Sequence, residues 1–348
     1  MNKLLIHIGY PKTATTTIQE NLFIKLHEAG LINYFGRDNY SNNISFKHAD
    51  RILKSFNLNE GFNLDDLKFS TDKVNVISIE ELSVPIYSRL IYSREIKTGR
   101  NTVDPFEYQV DPFEYPKRLF SLFNNAVDTI DIMVTIRNQK DLIYSYYVQV
   151  YDLFANNKSN DTPAKFIFDD GYAVRKKRLK NYYFPDLVEK YEECFGKDNI
   201  HILLFEDLLY DPSFINNQLS QMLNVENSLV QNLLANSHLN KRRKTKTGYH
   251  REIRKATALS NVVDKLRKID MVDNLISKII NSYKVRYGSD NKILNMIRKL
   301  MHKEGHVIVP KLNEKEQNII FDEFRESNLK LSERYHIDQE KLKKYGYI

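Results

Sequence analysis

The chain alternates short, almost wholly apolar runs with longer amphipathic segments. Four runs read as strands: Leu4–Ile8, Val74–Ile79, Ile130–Ile136 and Ile200–Phe205. Each is rich in Ile, Leu or Val and is closed by turn-forming or charged residues, the pattern of a strand buried on both faces. Segments of helical periodicity lie between or beside them, at Thr15–Ala29, Pro116–Asn125, Gln139–Phe154 and Val174–Phe195. This alternation predicts an α/β fold with a mostly parallel central sheet flanked by helices. From about Thr245 onward only helical patterns are legible, such as Leu294–His302 and Glu314–Glu333. The expected organisation is an α/β core over residues 1–240. A basic, mainly helical extension over 241–348 completes the same domain or forms a lid.

Ligands of such sheets bind beyond the strand C-termini. The first strand runs into Gly9, Tyr10, Pro11, Lys12, Thr13, Ala14, Thr15, Thr16 and Thr17, where a helix begins. Free N–H groups at a helix start, its partial positive charge and a nearby lysine make an anion site. The motif is not a Walker A loop, in which the Lys comes late and follows a Gly. Here Lys12 precedes the small residues, in the order Pro-Lys-Thr-Ala-Thr-Thr. That order resembles the 5′-phosphosulfate loop of the sulfotransferase family. The resemblance implies a P-loop-like strand–loop–helix. It implies 3′-phosphoadenosine 5′-phosphosulfate (PAPS) as donor and 3′,5′-adenosine bisphosphate (PAP) as product. The family often has Gly where this chain has Ala14, and alanine still leaves room for close backbone approach.

The strand Ile130–Ile136 ends in Arg137, and Ser145 follows in the next helical segment. A guanidinium forks onto two phosphate oxygens and a hydroxyl adds a third contact. The pair resembles the family's 3′-phosphate site. A weaker likeness continues through the acidic turn EDLLYDP after Phe205 and through the closing segment PKLNEKEQNIIFDEFRESNLKLSERY.

Sulfuryl transfer asks the protein to position an in-line attack and to stabilise charge on the leaving group. By the resemblance, Lys12 neutralises the leaving oxygen. Thr13, Thr15, Thr16, Thr17 and the loop N–H groups donate to the 5′-phosphate and sulfuryl oxygens. No metal is expected. The attacking hydroxyl needs a general base. Glu80, in VISIEELS, matches the Ser-x-Glu-x-Leu run of several glycan sulfotransferases, which implies a glycan or glycolipid acceptor. Strand alternation turns the neighbouring Glu81 away. His48 is the second candidate, because some bacterial members carry a His in this region. His7 lies inside the first strand and reads as a packed core residue.

Composition narrows the picture. The 348 residues carry 52 Lys and Arg against 45 Asp and Glu, a net charge of +7, which suits a multiply anionic cofactor. The densest basic run, KRRKTKTGYHREIRK, offers Lys241, Arg242, Arg243, Lys246 and Gly248 for a loop closing over the cofactor; its other reading is a solvated surface run. The loops Tyr87–Pro116 repeat IYSR and DPFEY, and contribute Tyr and Arg to a surface or to substrate. No apolar run approaches a membrane span. The first strand begins almost at once, so no signal peptide is expected and the predicted location is cytoplasmic. The single Cys194 forms no internal disulfide and has no metal-ligand spacing. Two other classes compete. A P-loop nucleotide kinase or triphosphatase is disfavoured by the missing Gly-Lys-Ser/Thr element. A non-catalytic nucleic-acid binder is supported by charge alone, and no nucleic-acid partner is expected.

Overall fold

The structure is a computed structural model that describes residues 2–36, 48–58, 61–83, 111–154, 180–235, 248–256 and 302–348. Its strands are β1 (Lys3–His7), β2 (Ile32–Tyr34), β3 (Val74–Ser78), β4 (Thr129–Ile136), β5 (Ile200–Leu204), β6 (Gly248–Ala256) and β7 (His302–Pro310). Its α-helices are α1 (Thr15–Thr17), α2 (Ile24–Glu28), α3 (His48–Leu58), α4 (Tyr115–Phe123), α5 (Gln139–Phe154) and α6 (Phe184–Phe195). They continue with α7 (Asp207–Tyr210), α8 (Pro212–Leu223), α9 (Asn227–Ala235), α10 (Glu314–Tyr335) and α11 (Gln339–Tyr345). A π-helical stretch, Ile18–Phe23, joins α1 to α2 without a break.

The first five strands form one parallel sheet in the order β2-β3-β1-β4-β5. Leu4 pairs with Asn75 on one side and Ile130 on the other, which puts β1 at the centre. Side chains alternate between faces with period two. Leu4, Ile6, Ile132 and Val134 join one buried cluster, with residues of α3, α4, α5, α6 and α10. Leu5, Val76, Met133 and Leu203 join the other, with Ile18, Leu22 and residues of α8 and α9. Helices therefore cover both faces, and the strands are mainly apolar because neither face meets water, with His7, Asn75, Ser78, Asp131 and Thr135 as buried polar members. The helix after β1 leads outward to β2, whereas the chain after β3 returns across β1 to β4. Strand order reverses at β1, which sets the ligand crevice beyond its C-terminal end.

The four predicted strands are present to within a residue or two at each end. The short edge strand β2 is an addition. The expectation of helices alone after Thr245 is corrected: β6 and β7 pair antiparallel, Gly248 with Pro310 through Ala256 with His302. Only the last residue of the predicted helix Leu294–His302 is described, and it opens β7. These strands carry many charges and pair across some 45 residues of chain, so neither a strong apolar alternation nor a short turn marks them. The helix expected from Val174 begins at Phe184, with Pro185 in its first turn. A preceding 3-10 turn covers Lys180–Tyr182. C-terminal Phe324, Leu331 and Tyr347 share the buried cluster of Leu4 and Ile132. Among the described residues no helix is long and apolar enough to cross a membrane.

Candidate anion-binding site

Beyond β1 the chain stays stitched to β4. Ile8 N–H donates to Met133 O (2.9 Å) and Tyr10 N–H to Thr135 O (2.9 Å). The loop then turns through two left-handed residues, Lys12 (φ 71°) and Ala14 (φ 62°). Each costs roughly 1–2 kcal/mol for a residue with a Cβ, and such strain concentrates at functional sites. Left-handed residues in a turn aim successive N–H groups into an anion-binding concavity. Ala14 caps α1 with no side-chain hydrogen bond, so the first-turn N–H groups depend on other partners. Gly9 is required by crowding: a Cβ there would lie 2.1 Å from Thr135 Oγ1 and 2.5 Å from Thr15 Cγ2.

The four threonines divide by depth. Thr13, Thr15 and Thr17 are buried, whereas Thr16 is half-buried, as are Lys12 and Ala14. The Thr13 hydroxyl donates to Tyr10 O (2.6 Å), so its one proton is turned inward and not toward an anion. The Thr15 hydroxyl donates to Glu80 Oε1. That contact joins the loop to the end of β3, 65 residues away in the chain. Pro11 is buried at the loop's shoulder.

Arg137 closes the other side. Its Nη1 donates to Lys12 O (3.1 Å), and its guanidinium lies 4.4 Å from the Phe205 ring centre. Its Nε is buried and has no hydrogen-bond partner among the described residues. Beside it, Glu206 Oε1 accepts from Asn138 N–H (3.1 Å), and Oε2 accepts from the Tyr347 hydroxyl (2.8 Å). Burial pushes the Glu206 carboxyl up to about 7, against the opposing pull of those two donors and of the Arg137 charge. Ser145 is half-buried on α5, two residues either side of the buried Ile143 and Tyr147.

The candidate bases sit at the same end of the sheet. Glu80 and Glu81 open a 3-10 turn, Glu80–Leu82, because β3 ends at Ser78. Strand alternation therefore does not govern Glu81, which is buried while Glu80 is half-buried. His48 begins α3 and packs edge-to-face on Phe35, just past β2, at 5.8 Å. Burial and the Arg51 charge lower its pKa against the opposing pull of Asp66, so the imidazole is neutral at neutral pH. Its Nδ1 is buried with no hydrogen-bond partner among the described residues. Arg242, Arg243, Lys241 and Lys246 lie outside the described residues, as does most of the Tyr87–Pro116 segment.

Sequence reading gave no role to Tyr347, Ser78 and Thr135, and noted Phe205 and Glu206 only as a strand end and the start of an acidic turn. Ser78 and Thr135 did carry a signal: each is a hydroxyl inside an otherwise apolar strand, VNVIS and IDIMVTI. Tyr347 carried none, because its partner stands 141 residues away.

A sulfotransferase from Alicyclobacillus acidocaldarius aligns at 12% identity and a TM-score of 0.41, over 64% of this chain and 81% of that one. Mouse sulfotransferase SULT7A1 complexed with PAP aligns at 14% identity and 0.33, over 67% and 64%. Retinol dehydratase in complex with androsterone and inactive cofactor PAP aligns at 13% identity and 0.36, over 95% and 80%. No curated protein matches. The family assignment rests instead on the sequence model of the sulfotransferase domain, which matches residues 2–271. That match spans the loop at Lys12, the turn at Glu80 and the strand end at Arg137, and the chain belongs to the sulfotransferase family.

Proposed function

We propose that this chain moves the sulfuryl group of PAPS onto a hydroxyl of a glycan or glycolipid. The carrying observation is the bond from Arg137 to the carbonyl of Lys12, with a buried Arg137 N–H left over. Two anion-binding elements 125 residues apart thus form one wall. A buried guanidinium N–H without an acceptor is costly, and an anion relieves that cost.

The donor supplies an activated sulfuryl group on a phosphate leaving group. Lys12 places its ammonium at the leaving oxygen, and the loop N–H groups with the Thr16 hydroxyl hold the 5′-phosphate. Arg137 and Ser145 take the 3′-phosphate. Glu80 removes the acceptor proton, with Thr15 orienting its carboxylate. The acceptor O–S bond forms, the S–O bond to the phosphate breaks, and the proton ends on the base. His48, neutral and with Nδ1 unpartnered among the described residues, is the alternative base. The glycan acceptor rests on the family resemblance around Glu80. PAPS, with no metal, remains the reading for donor and cofactor.

Calorimetry separates this reading from its rival. PAP should bind more tightly than 5′-AMP, and ATP–Mg²⁺ should bind weakly. Radiolabelled donor should then mark hydroxylated glycans or glycolipids. A chain that prefers ATP–Mg²⁺ and ignores PAP would overturn the proposal.

A further inference from the structure

Beneath the anion loop runs a file of buried polar groups that the chemistry above does not use. His7 is fully buried in β1, beside Phe23 at 5.8 Å. Its Nδ1 lies 2.8 Å from Ser78 Oγ, and its Nε2 lies 3.2 Å from Thr135 Oγ1. Thr135 Oγ1 lies 2.9 Å from Thr13 Oγ1. At the far end Gln19 Nε2 donates to Ser78 Oγ (2.8 Å).

Proton counting gives this file one direction. Tyr10 O holds no proton, so the Thr13 hydroxyl donates to it. Each hydroxyl has one proton. Thr13 must then accept from Thr135. Thr135 has no second proton for the imidazole, so His7 Nε2 carries an N–H and donates. His7 Nδ1 is then the acceptor for the Ser78 hydroxyl, whose oxygen accepts from Gln19. Every bond is satisfied by the neutral Nε2–H tautomer. The Nδ1–H tautomer breaks the chain at Thr135, whose single proton already goes to Thr13; an imidazolium keeps that link but turns its Nδ1–H onto Ser78 Oγ, so the Ser78 proton loses its acceptor in the file. Burial lowers the imidazole pKa to about 3, in keeping with a neutral ring.

We propose that His7 is a positioning residue of the anion loop. As the neutral Nε2–H tautomer it sets the direction of the Gln19–Ser78–His7–Thr135–Thr13 file, which pins the Thr13 hydroxyl to Tyr10 O. That bond closes the turn in which Lys12 and Ala14 stand left-handed. Gly9 lies against the same groups, since a Cβ there would sit 2.6 Å from His7 Nε2. The inference rests on the loop being the phosphate-binding element.

Two measurements test it on the full chain. Nitrogen-15 NMR of labelled histidines should show His7 as the Nε2–H tautomer, unchanged between about pH 5 and about pH 8. Thr135→Val removes one link without changing shape or charge. It should weaken PAP and 5′-AMP alike by about tenfold, because the file supports the 5′ side of the site. Thr135→Ser should recover most of that affinity. An Nδ1–H or doubly protonated His7 overturns the inference, even where Thr135→Val fails to fold. So does a wild type that binds PAP with Thr135→Val at wild-type affinity. A wild type that binds no PAP overturns the reading of the site itself, whatever the tautomer.

Discussion

The two halves of the candidate anion site are built on opposite plans. The β1 half is local: Gly9 to Thr17 form a strained turn over a buried file of hydroxyls, and most partners sit on neighbouring strands. The β4 half is assembled from a distance. Arg137 rests on Phe205, and Glu206 holds both the start of α5 and Tyr347 near the chain's end. Asn138 Nδ2 also donates to Tyr345 O (2.9 Å), and Lys341 pairs with Asp207 (3.0 Å). The first half is shaped by strain at known positions. The second holds its arginine by packing, which any loosening of the C-terminal helices would disturb.

The largest expected effect breaks the chemistry shared by both halves. Glu80→Gln should slow turnover by about 100- to 10,000-fold at saturating acceptor, with PAP affinity nearly unchanged. If His48→Ala does this and Glu80→Gln does not, the base assignment moves to His48.

Lys12→Ala should reduce transfer by about 100- to 1,000-fold and leave circular dichroism unchanged. Near-normal steady-state turnover would remove the local half from the reaction.

Arg137→Ala should weaken PAP by about 2–5 kcal/mol in calorimetry and barely affect 5′-AMP. Equal losses for both nucleotides would show that the distant half does not read the 3′-phosphate.

Glu206 gives the distant half a pH signature. Its folded pKa, about 7, lies above its ordinary 4.5, so between those values the folded chain binds more protons than the unfolded chain. Stability therefore falls as pH rises through that window, by up to about 3 kcal/mol. Glu206→Gln should flatten this slope in calorimetric melting. An unchanged slope would show that Glu206 does not titrate in that window.

The smallest effect tests strain in the local half. Ala14→Gly should stabilise the chain by up to about 1 kcal/mol in urea denaturation, since glycine accepts φ 62° freely. A loss of similar size would place Ala14 outside the left-handed region.

Much of this was legible in the sequence because local rules govern it. Strands buried on both faces are mainly apolar, so Leu4–Ile8 and Ile130–Ile136 announced the sheet. A strand, a turn and a helix start in succession around a lysine suggest an anion loop, so Lys12 could be named as a candidate without coordinates. Arg137 was legible as a charge closing an apolar strand. The strands β6 and β7 were not, because their pairing is remote in sequence and their residues are largely charged.

By itself the sequence determined the fold class and the strand–turn–helix at Lys12, since periodicity and turn chemistry act over a few residues. Only the tertiary structure decided which hydroxyls face inward, which tautomer His7 holds and what steadies Arg137. Those depend on proton counts and, mostly, on contacts between residues 59 to 207 positions apart, and no local pattern encodes such pairings.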